Sequence, residues 1–438
     1  MDLLYANDRA GEYPNSWYAA TADALPPFDP LKGHHKADVV VIGAGYTGLS
    51  AALHLAEAGF SVTVLEAHRV GFGASGRNGG QLGSGQRMGQ HGLEKLMGAE
   101  DATRMWDLAE DAKDLVKALI TKHDIACYLK PGVAHACFSA REMAEEHADA
   151  DHLTDRYGYD QIRKLDRDEM HALCPSPAYH GGTLDMGAGH LHPLRYALGL
   201  ARAARDAGAQ IYERSKVHDI QTGAQTGGKT RVRTDHGHID ADHVILACNG
   251  YLGGLNRQVA GRVMPINNFI AATQPLGDDV ARVLTQDVAV ADTKFVVNYF
   301  RLSHDNRLLF GGGESYGYRF PSDIKALVRK PMVEIYPHLA DIPLDYAWGG
   351  TLAITIKRMP YLARLAPNIL TASGYSGHGV GTATHAGQLM ALAIQGQAAG
   401  FDTMSRVPAP AFPGGAALRT PLLALAMSWY ALRDRLGV

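Results

Sequence analysis

The sequence is short of cysteine, of long apolar runs and of any excess of one charge. Its 438 residues include four cysteines, and no two of them have Cys-x-x-Cys spacing. This argues against a disulfide framework, a zinc knuckle and a thioredoxin-like site. No stretch of about 18 apolar residues is present to span a bilayer. A formal net charge of -3 gives no reason to expect nucleic acid or an anionic membrane as a partner.

The sequence also lacks the signals of a signal peptide, of a zinc or di-iron site and of a nucleophile-elbow hydrolase. The opening MDLLYANDRAGEYPNSWY has neither the basic nor the apolar region of a signal peptide, so we expect a cytoplasmic protein. The acidic and histidine-containing stretch 145–152 meets no zinc or di-iron spacing, so no metal is expected there. Neither GASGR nor GYSGH satisfies Gly-x-Ser-x-Gly, which excludes a nucleophile-elbow hydrolase.

Glycine is plentiful and gathers in a few loops. The first of these follows the apolar run ADVVVIGAG, which is typical of a strand buried on both faces of a parallel sheet. An apolar stripe then predicts a helix over 46–58, and SVTVLE (61–66) predicts the next strand. The order strand, glycine turn, helix, strand predicts a dinucleotide-binding βαβ unit opening at Ala37.

Each glycine of the Gly-x-Gly-x-x-Gly motif has a separate physical reason. Gly43 permits the tight turn, Gly45 lets the backbone approach a pyrophosphate, and Gly48 allows the helix and strand to pack closely. The helix N-terminus offers free N–H groups to the phosphates. Glu66, at the end of the second strand, is expected to accept hydrogen bonds from the ribose hydroxyls, which disfavours NADP.

FAD and NAD share this fingerprint, and two later segments favour FAD. The stretch GASGRNGG (73–80) would lay unobstructed backbone and Arg77 beside an extended anionic cofactor. The stretch GYSGHGVG (374–381) would direct a second helix N-terminus at the N1–C2=O edge of a flavin, where negative charge develops on reduction.

With these segments the sequence resembles the D-amino-acid-oxidase-like family of FAD-dependent amine oxidoreductases, which includes glycine and sarcosine oxidases. The resemblance runs from VVVIGAGYTGLSAALHLAEAGFSVTVLEA through GASGRNGG and HVILACNG (243–250) to GYSGHGVG. Within the family it is most similar to gamma-glutamylputrescine oxidases, in YPNSWYAATA (13–22), GHLHPL (189–194) and RTPLLALAMSWYALRDRL (419–436).

The resemblance implies a set of FAD-binding residues. They are Gly43, Ala44, Gly45, Tyr46, Thr47, Gly48, Glu66, Ala67, Ser75, Gly76, Arg77, Asn78, Gly79, Gly80, Gln81, Val217, Asn249, Gly250, Gly374, Tyr375, Ser376, Gly377, Gly379 and Val380. Some relatives tether FAD to a cysteine before the last motif or to a histidine in the glycine-rich arm. This chain has neither, so noncovalent FAD is expected.

Three residues are candidates for the reaction itself. Arg301, in VVNYFRLSHDNRLLFGGGE (296–314), either grips a substrate carboxylate with its planar fork or forms a structural ion pair. Tyr299 lies two residues away on the same face of the strand, where it lines the cavity or packs. His378 either touches the flavin and the amine or is a satisfied structural histidine. His190 and His192 are expected to pack.

Further helical patterns predict helices over 93–123, 193–207 and 382–397. The expected architecture has two discontinuous parts. A Rossmann-like α/β FAD-binding domain of the GR2 type is expected over 1–92, 190–262 and 346–438. A mainly antiparallel β substrate-binding domain is expected over 93–189 and 263–345. The C-terminal stretch 421–436 is expected to pack against the body rather than on a membrane.

The reaction implied is oxidation of a C–N bond. The substrate would be gamma-glutamylputrescine or a related carboxylate-bearing amine, with hydride transfer to flavin N5, imine hydrolysis and reoxidation by O2 to give H2O2. The alternatives are an L-pipecolate or N-methyl amino acid oxidase, a quinone-linked amine dehydrogenase, and a flavin-binding protein without amine chemistry. The sequence leaves the oligomeric state open.

Overall fold

The computed structural model describes residues 2–223 and 228–415. The helices are α1 (Trp17–Thr21), α2 (Tyr46–Glu57), α3 (Gln90–Met97), α4 (Ala99–Lys122), α5 (Ala140–Tyr157), α6 (Arg167–Leu173), α7 (Pro193–Asp206), α8 (Arg257–Ala260), α9 (Ile324–Ile335), α10 (Gly379–Ile394) and α11 (Ala399–Ser405). Within the described residues no helix has the length and apolar character to cross a membrane.

Seventeen strands are found in the described part of the chain. They are β1 (Gly33–Ile42), β2 (Val62–Leu65), β3 (Gln81–Leu82), β4 (Lys130–Cys137), β5 (Ile162–Leu165), β6 (Gly181–His190), β7 (Gln210–Tyr212), β8 (Val217–Gln221), β9 (Thr230–Thr234), β10 (Gly237–Leu246), β11 (Met264–Thr273), β12 (Ala289–Asp292), β13 (Tyr299–Leu302), β14 (Leu308–Ser315), β15 (Leu344–Ile354), β16 (Tyr361–Ala366) and β17 (Ile369–Ser373).

The first sheet carries the predicted βαβ unit. Its strand order is β16-β17-β10-β1-β2-β7, and β9 and β8 continue from β10 as an antiparallel extension. The pairs β1 with β10, β1 with β2, β10 with β17 and β2 with β7 are all parallel. The carboxyl halves of the inner strands are apolar, as in Val39–Ile42 of β1 and Val244–Leu246 of β10, and they are buried because helices and loops cover both faces of the sheet there. This is the expected α/β domain.

The second sheet is mainly antiparallel. Its order is β15-β11-β14-β13-β12-β4-β6-β3, with β5 paired to β6, and the parallel pair in it joins β12 to β4. Its strands come from two separate stretches of chain, 81–190 and 264–354. The expectation of a discontinuous, mainly antiparallel second sheet is confirmed.

Most predicted elements are found within a few residues of their expected limits. The helix expected over 46–58 is α2, and the helix expected over 193–207 is α7 with Pro193 in its first turn. The helix expected over 93–123 is two helices, α3 and α4. Gly98 separates them in a left-handed conformation, with φ of 85°. A glycine there ends one helix without the steric cost that other residues would have.

The hydrophobic cores only partly follow the predicted domain limits. Helix α3 crosses the predicted limit at 92/93 and α4 lies within the predicted substrate-binding range, yet Leu93, Met105 and Val116 share a core with Leu49 and Leu53 of α2. Strand β15 runs across the predicted limit at 345/346. The two-domain division stays a prediction. The stretch 421–436, expected to pack on the body, lies outside the described residues.

Candidate functional site

A cavity of about 1550 Å³ connects the two sheets. One end lies at the carboxyl ends of β1, β2 and β10, lined by Ile42, Leu65 and Ala247, and the other lies against β11 to β15 of the second sheet. In open parallel sheets, ligands bind outside the carboxyl ends of the strands. The cavity is therefore placed where a dinucleotide is expected, and it continues beyond that place toward the second sheet.

Gly43 and Gly48 have the structural roles expected of them, and the approach of a pyrophosphate to Gly45 stays a prediction. Gly43 has φ of 105°, and a Cβ there would lie 2.8 Å from the carbonyl oxygen of Ala247. A Cβ on Gly48 would lie 1.9 Å from the carbonyl oxygen of Gly43, so the helix and strand could not pack as they do. Gly45 is the residue before α2, and a Cβ there would meet Ser75 Oγ at 2.8 Å.

The glycine-rich arm is fastened to the start of α2. Ser75 Oγ accepts a hydrogen bond of 3.0 Å from the backbone N–H of Tyr46, so it satisfies one of the free donors of the helix terminus. Asn78 donates its amide hydrogens to the carbonyl oxygens of Ala74 and Ser75 and accepts the N–H of Gly80 at 2.7 Å. These bonds keep the arm against the cavity wall.

Glu66 is held by two backbone donors beside the cavity. Its carboxylate accepts the N–H of Ala44 at 2.8 Å and the N–H of His68 at 2.9 Å. Burial nevertheless raises the pKa of Glu66 to about 7, because the carboxyl is surrounded by protein and has no cation against it. Further hydrogen-bond donors, such as ribose hydroxyls, would stabilise its charged form.

Arg77 is bound within the protein rather than extended into the cavity. Its Nη1 forms an ion pair of 3.0 Å with Asp8 and donates to the carbonyl oxygen of Gly349, and its Nε donates to the carbonyl oxygen of Phe72. Its buried Nη2 has no hydrogen-bond partner among the described residues. Arg77 lines the cavity and therefore keeps one hydrogen-bond donor, Nη2, without an acceptor among the described residues.

The terminal glycine loop joins both sheets. Gly374 donates its N–H to Asn249 Oδ1 at 2.9 Å, and Tyr375 shares a hydrogen bond of 2.6 Å with Thr47 of α2. Ser376 has φ of 53°, a left-handed conformation that is uncommon for a residue other than glycine. Helix α10 begins at Gly379, so its N-terminus lines the cavity beside the start of α2, as expected.

His378 lines the cavity at the start of α10. Its Nε2 lies 2.9 Å from the carbonyl oxygen of Gly85, and because a carbonyl can only accept, the proton belongs on Nε2. Burial, with the positive charge of Arg87 as a further cause, lowers the pKa of His378 to about 4. The ring is therefore neutral at pH 7 and leaves Nδ1 as an acceptor.

Tyr299 forms part of the wall at the second-sheet end. A Cβ on Gly79 would lie 2.6 Å from its ring, and one on Gly311 would lie 2.1 Å from it, so the two glycines leave room for the aromatic ring. Its hydroxyl donates to Asn268 Oδ1. Burial raises the pKa of Tyr299, so the phenol stays neutral.

Arg301 does not line the cavity, so the geometry favours a structural role, and the grip on a substrate carboxylate stays a prediction. Its Nε donates to the carbonyl oxygen of Gly79 at 2.9 Å, and its Nη2 donates to the carbonyl oxygen of Leu191 at 2.9 Å and to Tyr18 Oη at 3.3 Å. The side chain is 5% exposed. The guanidinium donates to backbone carbonyl oxygens, so Arg301 positions the glycine-rich arm. These hydrogen bonds take the place of the structural ion pair that was the alternative expectation.

The cavity brings together most of the predicted site residues. Those along its wall are Gly43, Gly45, Tyr46, Thr47, Glu66, Ala67, Ser75, Arg77, Asn78, Gly79, Gln81, Val217, Asn249, Gly250, Tyr299, Tyr375, Ser376, Gly377, His378, Gly379 and Val380. The predicted residues behind the wall are Ala44, Gly48, Gly76, Gly80, Gly374 and Arg301. The glycines among these support the wall by packing.

Several polar residues of the cavity wall were missed by sequence reasoning. Arg87 directly follows the glycine-rich arm, Glu314 ends the FGGGE run, and Arg358 lies in the turn before β16. Arg87 and Glu314 could have been predicted from the sequence, because both lie near glycine-rich segments. Arg358 has no such signal, because its place depends on how β15 and β16 are joined.

Two other sequence interpretations can be compared with the structure. His190 and His192 are buried as expected: His190 Nε2 lies 3.2 Å from the carbonyl oxygen of Asp287, and His192 Nδ1 accepts the N–H of Arg195 at the start of α7. Lys294, considered as an oxygen-activating lysine, lines the cavity but pairs with Glu334 at 3.2 Å.

Comparison with known proteins agrees with this geometry. Residues 38–393 match the family model described as FAD dependent oxidoreductase (DAO). The chain is 45% identical over 423 residues to the probable oxidoreductase OrdL of Rhizobium meliloti, covering 96% of this chain and 97% of that protein. It is 41% identical over 430 residues to gamma-glutamylputrescine oxidoreductase of Escherichia coli, covering 98% of this chain and 100% of that protein.

Among solved structures, the fold is similar to that of glycine oxidase from Geobacillus kaustophilus. The TM-score is 0.70 at 21% sequence identity, over 83% of this chain and 95% of that one. A parallel-sheet dinucleotide site joined to an antiparallel sheet through one cavity defines a flavin-dependent oxidoreductase. The chain belongs to the DAO family of FAD-dependent oxidoreductases.

The residues of the cavity wall fit FAD. Glycines line its path where a Cβ would fill the space, Arg77 keeps an unpartnered buried donor, and Glu66 lacks a cation against its carboxylate. Glu66, the start of α2 and the arm 75–81 would hold the adenosine and phosphates, and the loop 374–380 would adjoin the flavin. When bound, FAD would supply the redox chemistry.

Proposed function

We propose that this chain oxidises a C–N bond of a small amine that carries a remote carboxylate, with gamma-glutamylputrescine or a close relative as the substrate. The observation that carries the proposal is the continuation of the cavity past Tyr299 and His378 into a chamber lined by Arg87, Arg358 and Glu314. A simple diamine needs no cationic wall, whereas a substrate with a carboxylate does. The 41% identity to gamma-glutamylputrescine oxidoreductase over nearly both full lengths supports it.

The side chains at the front of the chamber suit the binding of a neutral amine. His378 is neutral at pH 7 and its Nδ1 is an acceptor, so it can receive an N–H of the amine without repelling it. Tyr299, held by Asn268, stays neutral and offers its phenol oxygen as an acceptor. Neither residue needs to move a proton in the oxidation step, since the protein's work is to orient the amine and exclude water.

The electron acceptor and the compartment belong to the same proposal. O2 is the proposed acceptor, with imine hydrolysis and H2O2 as the outcome. The cytoplasm is the proposed compartment, in keeping with four free cysteines. The two-domain division, with the cavity between the parts, is the proposed frame for this chemistry.

Anaerobic reduction of the bound flavin tests the substrate. The purified holoenzyme is mixed with gamma-glutamylputrescine, putrescine, L-pipecolate, sarcosine and glycine, and the loss of flavin absorbance is followed. Fast bleaching by gamma-glutamylputrescine alone supports the proposal. Fastest bleaching by pipecolate or sarcosine instead assigns the enzyme to cyclic or N-methyl amino acids, and no bleaching by any amine contradicts amine chemistry.

Oxygen consumption tests the acceptor. With the best substrate, stoichiometric O2 uptake and H2O2 release are expected. Turnover with a quinone or dye and none with O2 would assign the chain to the dehydrogenases and contradict the oxidase proposal.

A further inference from the structure

Two arginines meet at the second-sheet end of the cavity. Arg87 lies in the loop between β3 and α3, and Arg358 lies in the turn between β15 and β16, and both line the chamber. Neither forms an ion pair with an acidic side chain within the described residues. Burial lowers the pKa of Arg87, and the positive charge of Arg358 lowers it further. The two guanidinium groups are therefore close enough to repel each other.

The glycine loop that precedes α10 holds both arginines in place. The carbonyl oxygen of Ser376 accepts Arg87 Nε at 3.1 Å, and Ser376 Oγ accepts the N–H of Thr355 at 3.4 Å, in the same turn as Arg358. Arg358 has φ of 61°, and its guanidinium lies 5.6 Å from the ring centre of Phe295. A left-handed backbone is strained for arginine, and such strain recurs at functional sites.

Two positive charges that form no ion pair in the described residues are stabilised by an anionic ligand. A carboxylate matches the planar fork of arginine, and each guanidinium keeps donors free of protein acceptors: Arg87 uses only Nε in a hydrogen bond that the structure describes. The phosphates of the cofactor are expected at the opposite end of the cavity, beside Gly45 and Ser75.

An acidic residue completes the chamber. Glu314 lies opposite Asn268 in the pairing of β14 with β11, and Asn268 in turn accepts the hydroxyl of Tyr299. Its Oε2 accepts the hydroxyl of Tyr316 at 2.9 Å. Glu314 and Arg358 both line the cavity. Burial raises the pKa of Glu314, and the positive charge of Arg358 opposes that rise. A buried carboxylate with a free oxygen is suited to an ammonium group.

We propose that Arg87, Arg358 and Glu314 form a subsite for a zwitterionic head group, with the carboxylate on the two guanidiniums and the ammonium on Glu314. The head group is the end of the substrate remote from the oxidised carbon. Other charged residues of the cavity wall have partners within the protein: Lys294 pairs with Glu334, and Asp292 accepts the side-chain amide of Asn298 at 2.8 Å. His135, which interacts electrostatically with Arg87, pairs with Glu146 at 3.4 Å. This inference rests on the proposed amine oxidation, since it names the substrate class of the same cavity.

Four amines share the same reacting end and differ in the charges of the head group, so they test the carboxylate and the ammonium separately. Gamma-glutamylputrescine carries both, its α-carboxamide carries only the ammonium, N-glutarylputrescine carries only the carboxylate, and N-acetylputrescine carries neither. Each is assayed with holoenzyme of the wild type and of Arg87→Gln, Arg358→Gln and Glu314→Gln. Lys357→Gln is the matched control, because Lys357 is exposed and does not line the cavity.

The expected result is a selective loss of kcat/KM. Either arginine variant should lose about 10- to 100-fold on the two carboxylate substrates, and less than about 2-fold on the other two, as a charge-assisted pair is removed. Glu314→Gln should lose a similar factor only on the two substrates that carry the α-ammonium. The effects of Arg87→Gln and Arg358→Gln should be less than additive on the carboxylate substrates, because both bind one group.

Three results would overturn the subsite. Equal slowing of all four amines would make these residues structural or assign them to the reacting amine. A loss of bound FAD in the arginine variants would assign them to the cofactor. Unchanged kinetics in all three variants would leave them no role in binding.

Failure of the proposed reaction is recognised separately. If the wild type is bleached by none of the four amines, glutamate and glutarate are titrated into the holoenzyme and the flavin absorbance is recorded. Saturable perturbation in the wild type that is lost in Arg358→Gln supports the subsite without the reaction. No perturbation in either protein overturns it.

Discussion

Arg301 Nε donates a hydrogen bond of 2.9 Å to the carbonyl oxygen of Gly79, across 222 residues of chain. The same guanidinium bonds the carbonyl oxygen of Leu191, which precedes α7. A buried arginine thus ties the second sheet to the arm that borders the expected flavin position. Its sequence context, a strand and turn before a Gly-Gly pair, is equally compatible with a ligand-binding arginine, and only the fold decides between them.

Arg301→Lys should weaken the protein and its hold on FAD rather than its hold on a carboxylate. Lysine keeps the charge but cannot reproduce the fork, so buried carbonyl oxygens would lose their donors. The free energy of unfolding should fall by on the order of 3 kcal/mol. Urea unfolding and the FAD content after dialysis measure this.

The kinetic control for Arg301 is a substrate without a carboxylate. Putrescine and gamma-glutamylputrescine should slow by the same factor in Arg301→Lys. A rise in KM confined to carboxylate substrates would restore the original expectation that this arginine binds the substrate.

Local patterns predicted the dinucleotide half of the molecule well. The apolar run before Gly43 and the turn chemistry act over a few residues, so the strand, the helix and the acidic residue at Glu66 could be placed without a structure. The terminal loop could be placed for the same reason, although α10 begins at Gly379, three residues before the expected start.

The substrate end was less predictable because it is built by distant segments. Arg87, Glu314 and Arg358 come from three loops or strand ends that meet only when the second sheet forms. The role of Arg301 could not be decided from the sequence, because strand alternation predicts a face but not which face borders the cavity. The division of 93–123 into two helices was missed because Gly98 interrupts an otherwise continuous helical pattern.

The FAD should be released by acid. Cys127, Cys137 and Cys174 do not line the cavity, and Cys248 lies at the end of β10, its thiol toward the carbonyl oxygen of Ile42. Cys248 is therefore the one cavity-lining thiol among the described residues, and it donates to a backbone oxygen of β1 although its neighbour Asn249 accepts the N–H of Gly374. After acid precipitation the yellow colour should be in the supernatant, and colour that stays with the pellet would contradict noncovalent binding.

Glu66→Ala should purify largely without FAD. The carboxylate is expected to accept the ribose hydroxyls, and the loss of charge-assisted bonds worth roughly 1.5–3 kcal/mol should weaken affinity by about 10- to 150-fold. Titration of apoprotein with FAD, followed by fluorescence quenching, measures the affinity. Glu100→Ala, on the exposed start of α4, is the control. Full FAD occupancy of Glu66→Ala after extensive dialysis would exclude Glu66 as the ribose ligand.

The same residue gives FAD binding a pH dependence. The pKa of Glu66 is raised from 4.5 to about 7, so its ionisation opposes folding of the apoprotein. Its contribution to the stability of the apoprotein is therefore lost as the pH rises from about 4.5 to about 7. Ribose hydroxyls favour the ionised form, so FAD affinity should rise over pH 6 to 8. In Glu66→Gln this rise should be absent.

His378 should remain neutral throughout the working pH range and control stability only in acid. Its pKa is lowered to about 4 from 6.5 by burial, so the folded protein binds fewer protons here than the unfolded chain. Its contribution to stability is therefore present above pH 6.5 and is lost as the pH falls toward 4. The side-chain amide of His378→Gln can still donate to the carbonyl oxygen of Gly85. Over that pH interval its free energy of unfolding should fall by on the order of 2 kcal/mol less than that of the wild type.

Two measurements separate the roles of His378. Urea unfolding of the apoprotein between pH 7 and pH 4 gives the stability difference, with the exposed His236→Gln as the control because its ring lies on the β9–β10 turn. The pH profile of kcat/KM between pH 6 and 9 gives the catalytic role. If His378 only accepts a hydrogen bond from the amine, His378→Gln should lower the whole profile without moving its limbs. A limb that disappears in the variant would show that His378 titrates in catalysis, and the assignment as a neutral acceptor would be wrong.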